Sequence, residues 1–191
     1  LQSWLTLSGS DVTIAGQTAP EGGITITSTQ TQRIRAQDLS NIIIRYLRIR
    51  PLESGDDSFE IYGNNDGGHD IILDHISASY GGDETISVRG ADTYNITFQR
   101  CLFAEGKTGS LFGDTNSPEF SHDNSYLHSL FFNISHRTPN ISSDGRVDVV
   151  NNVIQNWQYR LTYAHGNSQL NQINNYYAMG EREGLVSGTQ N

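Results

Sequence analysis

The sequence predicts an all-β chain folded as a right-handed parallel β-helix, a three-sided solenoid. Three observations lead to this fold class. The chain lacks long amphipathic runs of good helix formers, and it contains 19 glycines but one methionine among 191 residues. Short runs of β-branched and aromatic residues recur along it. Most of these runs begin at Asn or Asp and are followed by turns rich in Gly and Asp.

The recurring runs have the spacing of a repeat architecture. Two early runs start at Asp11 and Gly23, and six later ones start at Asn41, Asp70, Asn95, Phe120, Asp148 and Asn171. The later starts lie 29, 25, 25, 28 and 23 residues apart. Each run is too short to bury its own apolar face, whereas stacked runs bury a continuous core. We therefore expect residues 1–191 to form a single β-helix domain without terminal caps.

Asparagine recurs at matching places within the repeats. Asn124, Asn152 and Asn175 follow the same local pattern in three successive runs. Inward asparagines in register can hydrogen-bond along the stack and satisfy amides that are costly to bury alone. The pattern predicts an asparagine ladder.

Composition excludes several classes of function. Twelve basic and 21 acidic residues give a net charge of −9, which disfavours a nucleic-acid-binding surface. Mean hydropathy is −0.48 and no long apolar stretch predicts a transmembrane helix. The lone cysteine, Cys101, forms no intrachain disulfide and completes no zinc site. Nucleotide-binding loops and the serine nucleophile motif GxSxG are absent from the sequence.

Two acidic turns follow successive runs. Asp56 and Asp57 lie in the first, and Asp83 and Glu84 lie in the second, one repeat later. In a β-helix these turns stack about 5 Å apart on one face. Such a cluster suits Ca²⁺, which takes six to eight oxygen ligands. Two alternatives remain at this point: simple turn formation by Asp and Gly, and an acid–base pair of carboxylates for hydrolysis.

Basic residues occupy the next two predicted turns. Lys107 lies in the third turn and Arg137 in the fourth, where Pro139 fixes the local backbone. The planar guanidinium of arginine matches a carboxylate, although both cations could also be ordinary surface residues. Two acidic and two basic turns then form one stripe, which predicts a groove for an acidic polymer held through metal bridges.

Segments in a fixed order resemble the polysaccharide lyase family 1 pectate lyases and their relatives. The resemblance covers residues 11 to about 180, through the segments VTIAGQTAP, GITI, NIIIRYLRIRP, IILDHISASYGGDE, NITFQRCLFAEG, HRTPNI and DVVNNVIQNW. It implies a secreted parallel β-helix enzyme that cleaves α-1,4-linked galacturonan by calcium-dependent β-elimination. The sequons at Asn95, Asn133 and Asn140 fit a secreted glycoprotein.

The resemblance also implies residue roles. Its metal ligands fall on Asp57 and Asp83, with Asp56 and Glu84 as neighbouring ligands. The Arg of an RxP-like motif falls on Arg137 and takes the C5 proton.

Its substrate-binding Lys falls near Lys107. We accordingly expect Arg137 and Lys107 to be catalytic, and both to bind the substrate together with Pro139.

The chain departs from the family at several positions: Lys107 lies one residue off the usual spacing before Gly113, and the stretch from His128 to His136 is longer than usual. Ser87 stands where the family usually has an Asp, and Asn140 and Ile141 follow Pro139 where a second Arg is usual. The alternative function is therefore a non-catalytic β-helix that acts as a structural, fibre-forming or carbohydrate-binding protein. In either case the open strand edges predict end-to-end association of copies.

Overall fold

A computed structural model describes residues 3–28, 34–51, 55–64, 67–91, 93–113 and 121–180. In this part of the chain the regular elements are 20 strands and one short 3₁₀ helix, Gly16–Thr18, between β2 and β3. The strands are β1 (Leu5–Leu7), β2 (Ser10–Ala15), β3 (Ile24–Ser28), β4 (Ile34–Gln37), β5 (Ser40–Arg45), β6 (Leu47–Pro51), β7 (Phe59–Tyr62), β8 (His69–Asp74), β9 (Ser77–Ser79), β10 (Glu84–Arg89), β11 (Tyr94–Gln99), β12 (Leu102–Gly113), β13 (Asn124–Leu127), β14 (Leu130–His136), β15 (Asn140–Ser142), β16 (Gly145–Val150), β17 (Val153–Arg160), β18 (Tyr163–His165), β19 (Ser168–Ile173) and β20 (Tyr176–Met179). Within these described ranges, no helix is long and apolar enough to span a membrane.

The strands stack in three parallel columns, which confirms the predicted parallel β-helix. The first column runs β1, β4, β7, β10, the end of β12, β15 and β18. The second runs β2, β5, β8, β11, β13, β16 and β19. The third runs β3, β6, β9, the start of β12, β14, β17 and β20. Each turn of the solenoid therefore contributes one strand to each of three sides.

The core lies inside this triangle and is largest in the middle turns. Five aromatic side chains meet there with ring centroids 4.7–6.0 Å apart. They are Phe98, Phe103, Phe112, Tyr126 and Phe131. Isoleucine, leucine and valine fill the core on either side of the aromatic cluster. This contiguous apolar burial is the main contribution to stability in a solenoid.

Bends of the solenoid, some of them at the second residue of a strand, use the left-handed backbone conformation, with φ between 40° and 65° at residues other than glycine. One stack of such residues comprises Asp11, Asn41, Asp70, Asn95 and Asp123. Asn and Asp tolerate this conformation better than other residues with side chains, because their short polar groups bond locally. The Asn or Asp at the start of the early repeats thus marks a corner of the solenoid.

In the later repeats, the run starts identified from the sequence do not lie at the same position of the solenoid turn as the earlier starts do. Strand register aligns Asp123 with Arg146, so Asp148 lies two residues beyond the corner position. Asn171 is likewise displaced, since it pairs with Asp148. The predicted start at Phe120 lies outside the described residues.

The asparagine ladder contains two of its three predicted members. The Oδ1 of Asn175 accepts from the backbone N–H of Asn152 at 2.9 Å, and the Oδ1 of Asn152 accepts from Ser129 N–H at 2.8 Å. Placing Asn124 in this ladder was wrong. Its Oδ1 accepts from Ile96 N–H in the second column, on another side of the solenoid.

Candidate active site

The two acidic turns lie one above the other, as the repeat spacing predicts. The N–H of Gly82 donates to the carbonyl of Asp56 at 3.0 Å, and the N–H of Ser58 donates to the carbonyl of Glu84 at 3.0 Å. These backbone bonds bind the segment before β7 to the start of β10. They fix the acidic side chains of both turns on the same face of the solenoid.

Three carboxylates form a compact cluster at this place. One oxygen from each of Asp57, Asp83 and Glu84 lies within 4.8 Å of the others. Asp57 and Glu84 are each 2% exposed, whereas Asp83 is exposed. Close carboxylates repel one another unless a proton or a cation neutralises them. An all-oxygen donor set fits a hard divalent cation such as Ca²⁺.

Asp56 lies beside this cluster rather than in it. Its Oδ1 accepts a hydrogen bond from the N–H of Asp57 at 3.1 Å, a local contact that shapes the turn. The structure thus groups three of the four acidic residues that the sequence singled out.

Asp57 is the most perturbed acid of the cluster. Burial, together with the charges of Glu60, Asp83 and Asp56, raises the pKa of Asp57 from 3.8 to about 7, against a hydrogen bond from Ser87 that lowers it. The N–H of Glu84 donates to Asp57 Oδ1 at 3.0 Å, and the Ser87 hydroxyl donates to Oδ2. Ser87, a departure from the family pattern, is therefore a direct neighbour of this carboxylate.

The basic residues lie on the next two turns of the same side. Glu84 pairs in register with Thr108, and Thr108 pairs with His136. Lys107 and Arg137 are the immediate chain neighbours of these paired residues. The predicted stripe of acidic and basic residues is therefore present, and its roles in chemistry stay predictions.

The third position of the stripe differs from the expected turn. Residues 102–113 form one continuous strand, β12, which passes from the third column to the first. Placing a turn around Lys107 was wrong. Gly109 permits the close packing here, since a Cβ on it would lie 2.4 Å from the carbonyl oxygen of Arg137.

Arg137 reaches back from its turn to the acidic cluster. Its Nη1 forms an ion pair with Oε1 of Glu84, and its side chain is 25% exposed. Burial lowers the pKa of Arg137 below its ordinary value, and the charge of Arg160 lowers it further, whereas Asp83 and Asp57 raise it. Pro139 is buried two residues later, and its contact with the substrate stays a prediction.

Sequence reasoning missed two residues beside this turn, His136 and Arg160. They pair in register on β14 and β17. Burial lowers the pKa of His136, and the charges of Arg160 and Lys107 act in the same direction. The only signal in the sequence is their separation of 24 residues, one repeat, which carries no chemical motif.

Comparison with known proteins gives relatives that are named pectate lyase or pectin lyase. No protein-family model matches the chain. The chain is 35% identical over 185 residues to "Probable pectate lyase C" of Aspergillus flavus, covering 94% of this chain and 42% of that protein. It is 37% identical over 175 residues to the protein of the same name in Aspergillus oryzae, covering 88% and 39%. A "Pectin lyase" of Pectobacterium carotovorum is 29% identical over 101 residues, which is 50% of this chain and 32% of that protein.

The matches to proteins named pectate lyase C extend along nearly all of this chain, which spans about two fifths of their length. The order of motifs and the parallel β-helix agree with these matches. The resemblance of this chain to the pectate lyase superfamily is thereby confirmed.

Proposed function

We propose that the chain is a calcium-dependent pectate lyase that cleaves α-1,4-linked galacturonan by β-elimination. The observation that carries the proposal is the contact between Arg137 and a cluster of three carboxylates on one face. Asp57, Asp83 and Glu84 would hold Ca²⁺. Bound there, the ion would bridge the protein to a uronate carboxylate and make the adjacent C5 proton more acidic.

The basic residues of the stripe bind the polymer in this proposal. Galacturonan carries one carboxylate per sugar, so it needs regularly spaced cations along its path. Lys107, Arg137 and Arg160 come from successive turns of the solenoid, each on or beside the row of paired residues that starts at Glu84. Neighbouring turns lie about 5 Å apart, which is close to the length of one sugar unit. Long basic side chains can therefore reach the carboxylates of successive sugars by charge-assisted hydrogen bonds.

Arg137 takes the C5 proton in the proposed reaction. The C5–H electron pair forms the C4–C5 double bond, the C4–O bond breaks with its electron pair going to the leaving oxygen, and that oxygen takes a proton from water. Arginine normally stays protonated, so this role needs a depressed pKa. The burial that lowers the pKa of Arg137 supports it.

Polygalacturonate cleavage tests this proposal. Ultraviolet absorbance follows the unsaturated uronide, with Ca²⁺ or with EDTA. We expect calcium-dependent absorbance in the wild type and a loss of at least about 100-fold in Arg137→Ala. Arg146→Ala, which removes a 59% exposed arginine from another side, should retain activity. Equal activity in both variants would exclude Arg137 from the reaction.

Ser87 favours a second candidate, a carbohydrate-binding β-helix without activity. A hydroxyl in place of the usual carboxylate leaves one negative charge fewer beside Asp57. Binding of polygalacturonate without any unsaturated product, at every calcium concentration, would support this candidate over the lyase.

We further infer that the chain acts outside the cell, where pectic polymers occur, and carries a glycan at Asn95. Of the three sequons, Asn95 is exposed, Asn133 is half-buried and Asn140 is buried; the Nδ2 atoms of Asn95 and Asn133 both donate to carboxylates, those of Asp70 and Glu105. A buried asparagine cannot bear a glycan in the folded chain. Mass spectrometry of the secreted protein, with and without glycosidase, tests the site at Asn95.

We also infer that copies associate end to end, because the apolar side chains of Val12 and Met179 are exposed on the first and last turns of the described solenoid.

A further inference from the structure

Glu84 has two partners at the candidate active site. Its carboxylate belongs to the cluster that fits a cation, and its Oε1 is ion-paired with Nη1 of Arg137. Resting on the proposed function, we propose that Glu84 is a positioning residue that holds Arg137 until a cation binds. The cation then takes Glu84 as a ligand and releases the guanidinium of Arg137 toward the substrate.

Burial explains why Glu84 needs a cationic partner at all times. Its side chain is 3% exposed, and a buried carboxylate without a compensating charge is strongly unfavourable. Arg137 supplies that charge in the structure. A divalent cation among the three carboxylates supplies it instead, so the ion pair loses most of its attraction once the cation is bound.

Repulsion adds to this exchange. The cation would lie among Asp57, Asp83 and Glu84, one contact away from the guanidinium of Arg137. Like charges at this separation, in a site mostly excluded from water, repel far more strongly than in bulk solvent. The Nε of Arg137 is buried and has no hydrogen-bond partner among the described residues, so the ion pair of Nη1 with Glu84 is the contact that holds the guanidinium at the cluster.

Coupling of this kind is reciprocal. If cation binding weakens the hold of Glu84 on Arg137, then removal of Arg137 strengthens cation binding by the same free energy. If the effect were only general charge repulsion, removal of any nearby cationic side chain would strengthen binding of the metal cation. Lys107, on the same side of the solenoid and without an ion pair to Glu84 in the described contacts, separates the two explanations.

Calorimetric titration with Ca²⁺ tests the coupling without reference to activity. We expect Arg137→Gln to bind Ca²⁺ about 10-fold more tightly than the wild type, and Lys107→Gln to bind it at most about 3-fold more tightly. In a Glu84→Gln background, the Arg137→Gln change should tighten binding no more than the Lys107→Gln change does. Equal effects of both changes in the presence of Glu84 would overturn the proposal.

A second measurement needs no variant and so does not depend on how a variant folds. In wild-type protein with ¹⁵N-labelled arginine, Ca²⁺ should shift the Nε–H signal of Arg137 and speed its hydrogen exchange. Under the same titration, the signal of Arg146 should stay unchanged. An Arg137 signal that is unaffected at saturating Ca²⁺ contradicts the release.

Failure of the coupling and failure of the proposed function give different results. A wild type that binds no Ca²⁺ overturns both the cation site and the coupling. A protein that binds Ca²⁺ and cleaves polygalacturonate, but shows equal affinities for the two variants, overturns the coupling alone. Tighter binding by Arg137→Gln in a protein that cleaves no polyuronate supports the coupling and overturns the lyase.

Discussion

Asp57 is a buried acid whose ionised form is unfavourable in the folded chain. It is 2% exposed, and its carboxylate accepts from the N–H of Glu84 and from the hydroxyl of Ser87. Neither donor carries a charge, and the charged neighbours that raise its pKa are all acidic. Folding therefore favours the protonated form of Asp57 unless a cation is present.

This environment predicts a pH dependence of stability in EDTA. The pKa of Asp57 rises from 3.8 to about 7, so between these values the folded state binds more protons than the unfolded state. The free energy of unfolding should then fall as pH rises from about 4 to 7, by about 4 kcal/mol from this group. Urea titrations at several pH values measure it.

Asp57→Asn provides the comparison, since an amide can keep both hydrogen bonds without a charge. We expect its unfolding free energy to lose most of that slope and to exceed that of the wild type at pH 8. A variant with the same slope as the wild type would show that other groups dominate the pH dependence.

Residue-level chemistry was only partly predictable from the sequence. Repeat spacing was sufficient to bring Asp57, Glu84 and Arg137 to one side, because each turn returns the chain to the same face. The ion pair of Glu84 with Arg137 depends on a side chain that reaches back along the stack. Spacing does not specify such a reach, nor the contact of Ser87 with Asp57.

Strands and corners follow from the sequence except where two elements merge. Lys107 lies between Gly106 and Gly109, which read as a turn, yet all three belong to β12. The glycines serve close packing: a Cβ on Gly106 would lie 2.4 Å from Thr85 Oγ1 on the neighbouring turn. The local sequence shows that a glycine is present, but not whether that glycine forms a turn or permits close packing within a strand.

The asparagine ladder, which includes Asn152 between β16 and β17, leads to a prediction about stability. Asn152 is 1% exposed, and its amide donates to the carbonyl of Tyr126 at 2.9 Å while its Oδ1 accepts from Ser129 N–H. Asn152→Ala leaves both backbone groups buried without a partner. We expect a loss of about 2 kcal/mol in the free energy of unfolding, measured by urea denaturation.

Asn171→Ala is the matched control on a neighbouring strand. Asn171 is exposed, and its amide donates to Asp148 at 2.7 Å on the outer surface. Its loss should change stability by less than about 0.5 kcal/mol. Similar losses for the two variants would mean that the buried ladder contributes no more than a surface contact.

At the scale of the whole molecule, the inner columns end in exposed apolar side chains. Val12 is 44% exposed, although it continues a column through Ile42 and Ile71 that stays buried as far as Val147. Met179 is 56% exposed at the opposite end, where it continues the column of Trp157. A solenoid gains stability from each neighbouring turn, so these ends favour a further stacked turn.

The exposed apolar side chains of Val12 and Met179 predict that this polypeptide associates end to end, with an apparent sedimentation coefficient that rises with protein concentration. Val12→Lys places a charge in the end column and should weaken association by about 10-fold. Val153→Lys, at a 37% exposed position on a side of the solenoid, should leave association unchanged. A wild type that sediments as a monomer at all concentrations would contradict stacking, and equal weakening by both variants would assign the contact to a side rather than an end.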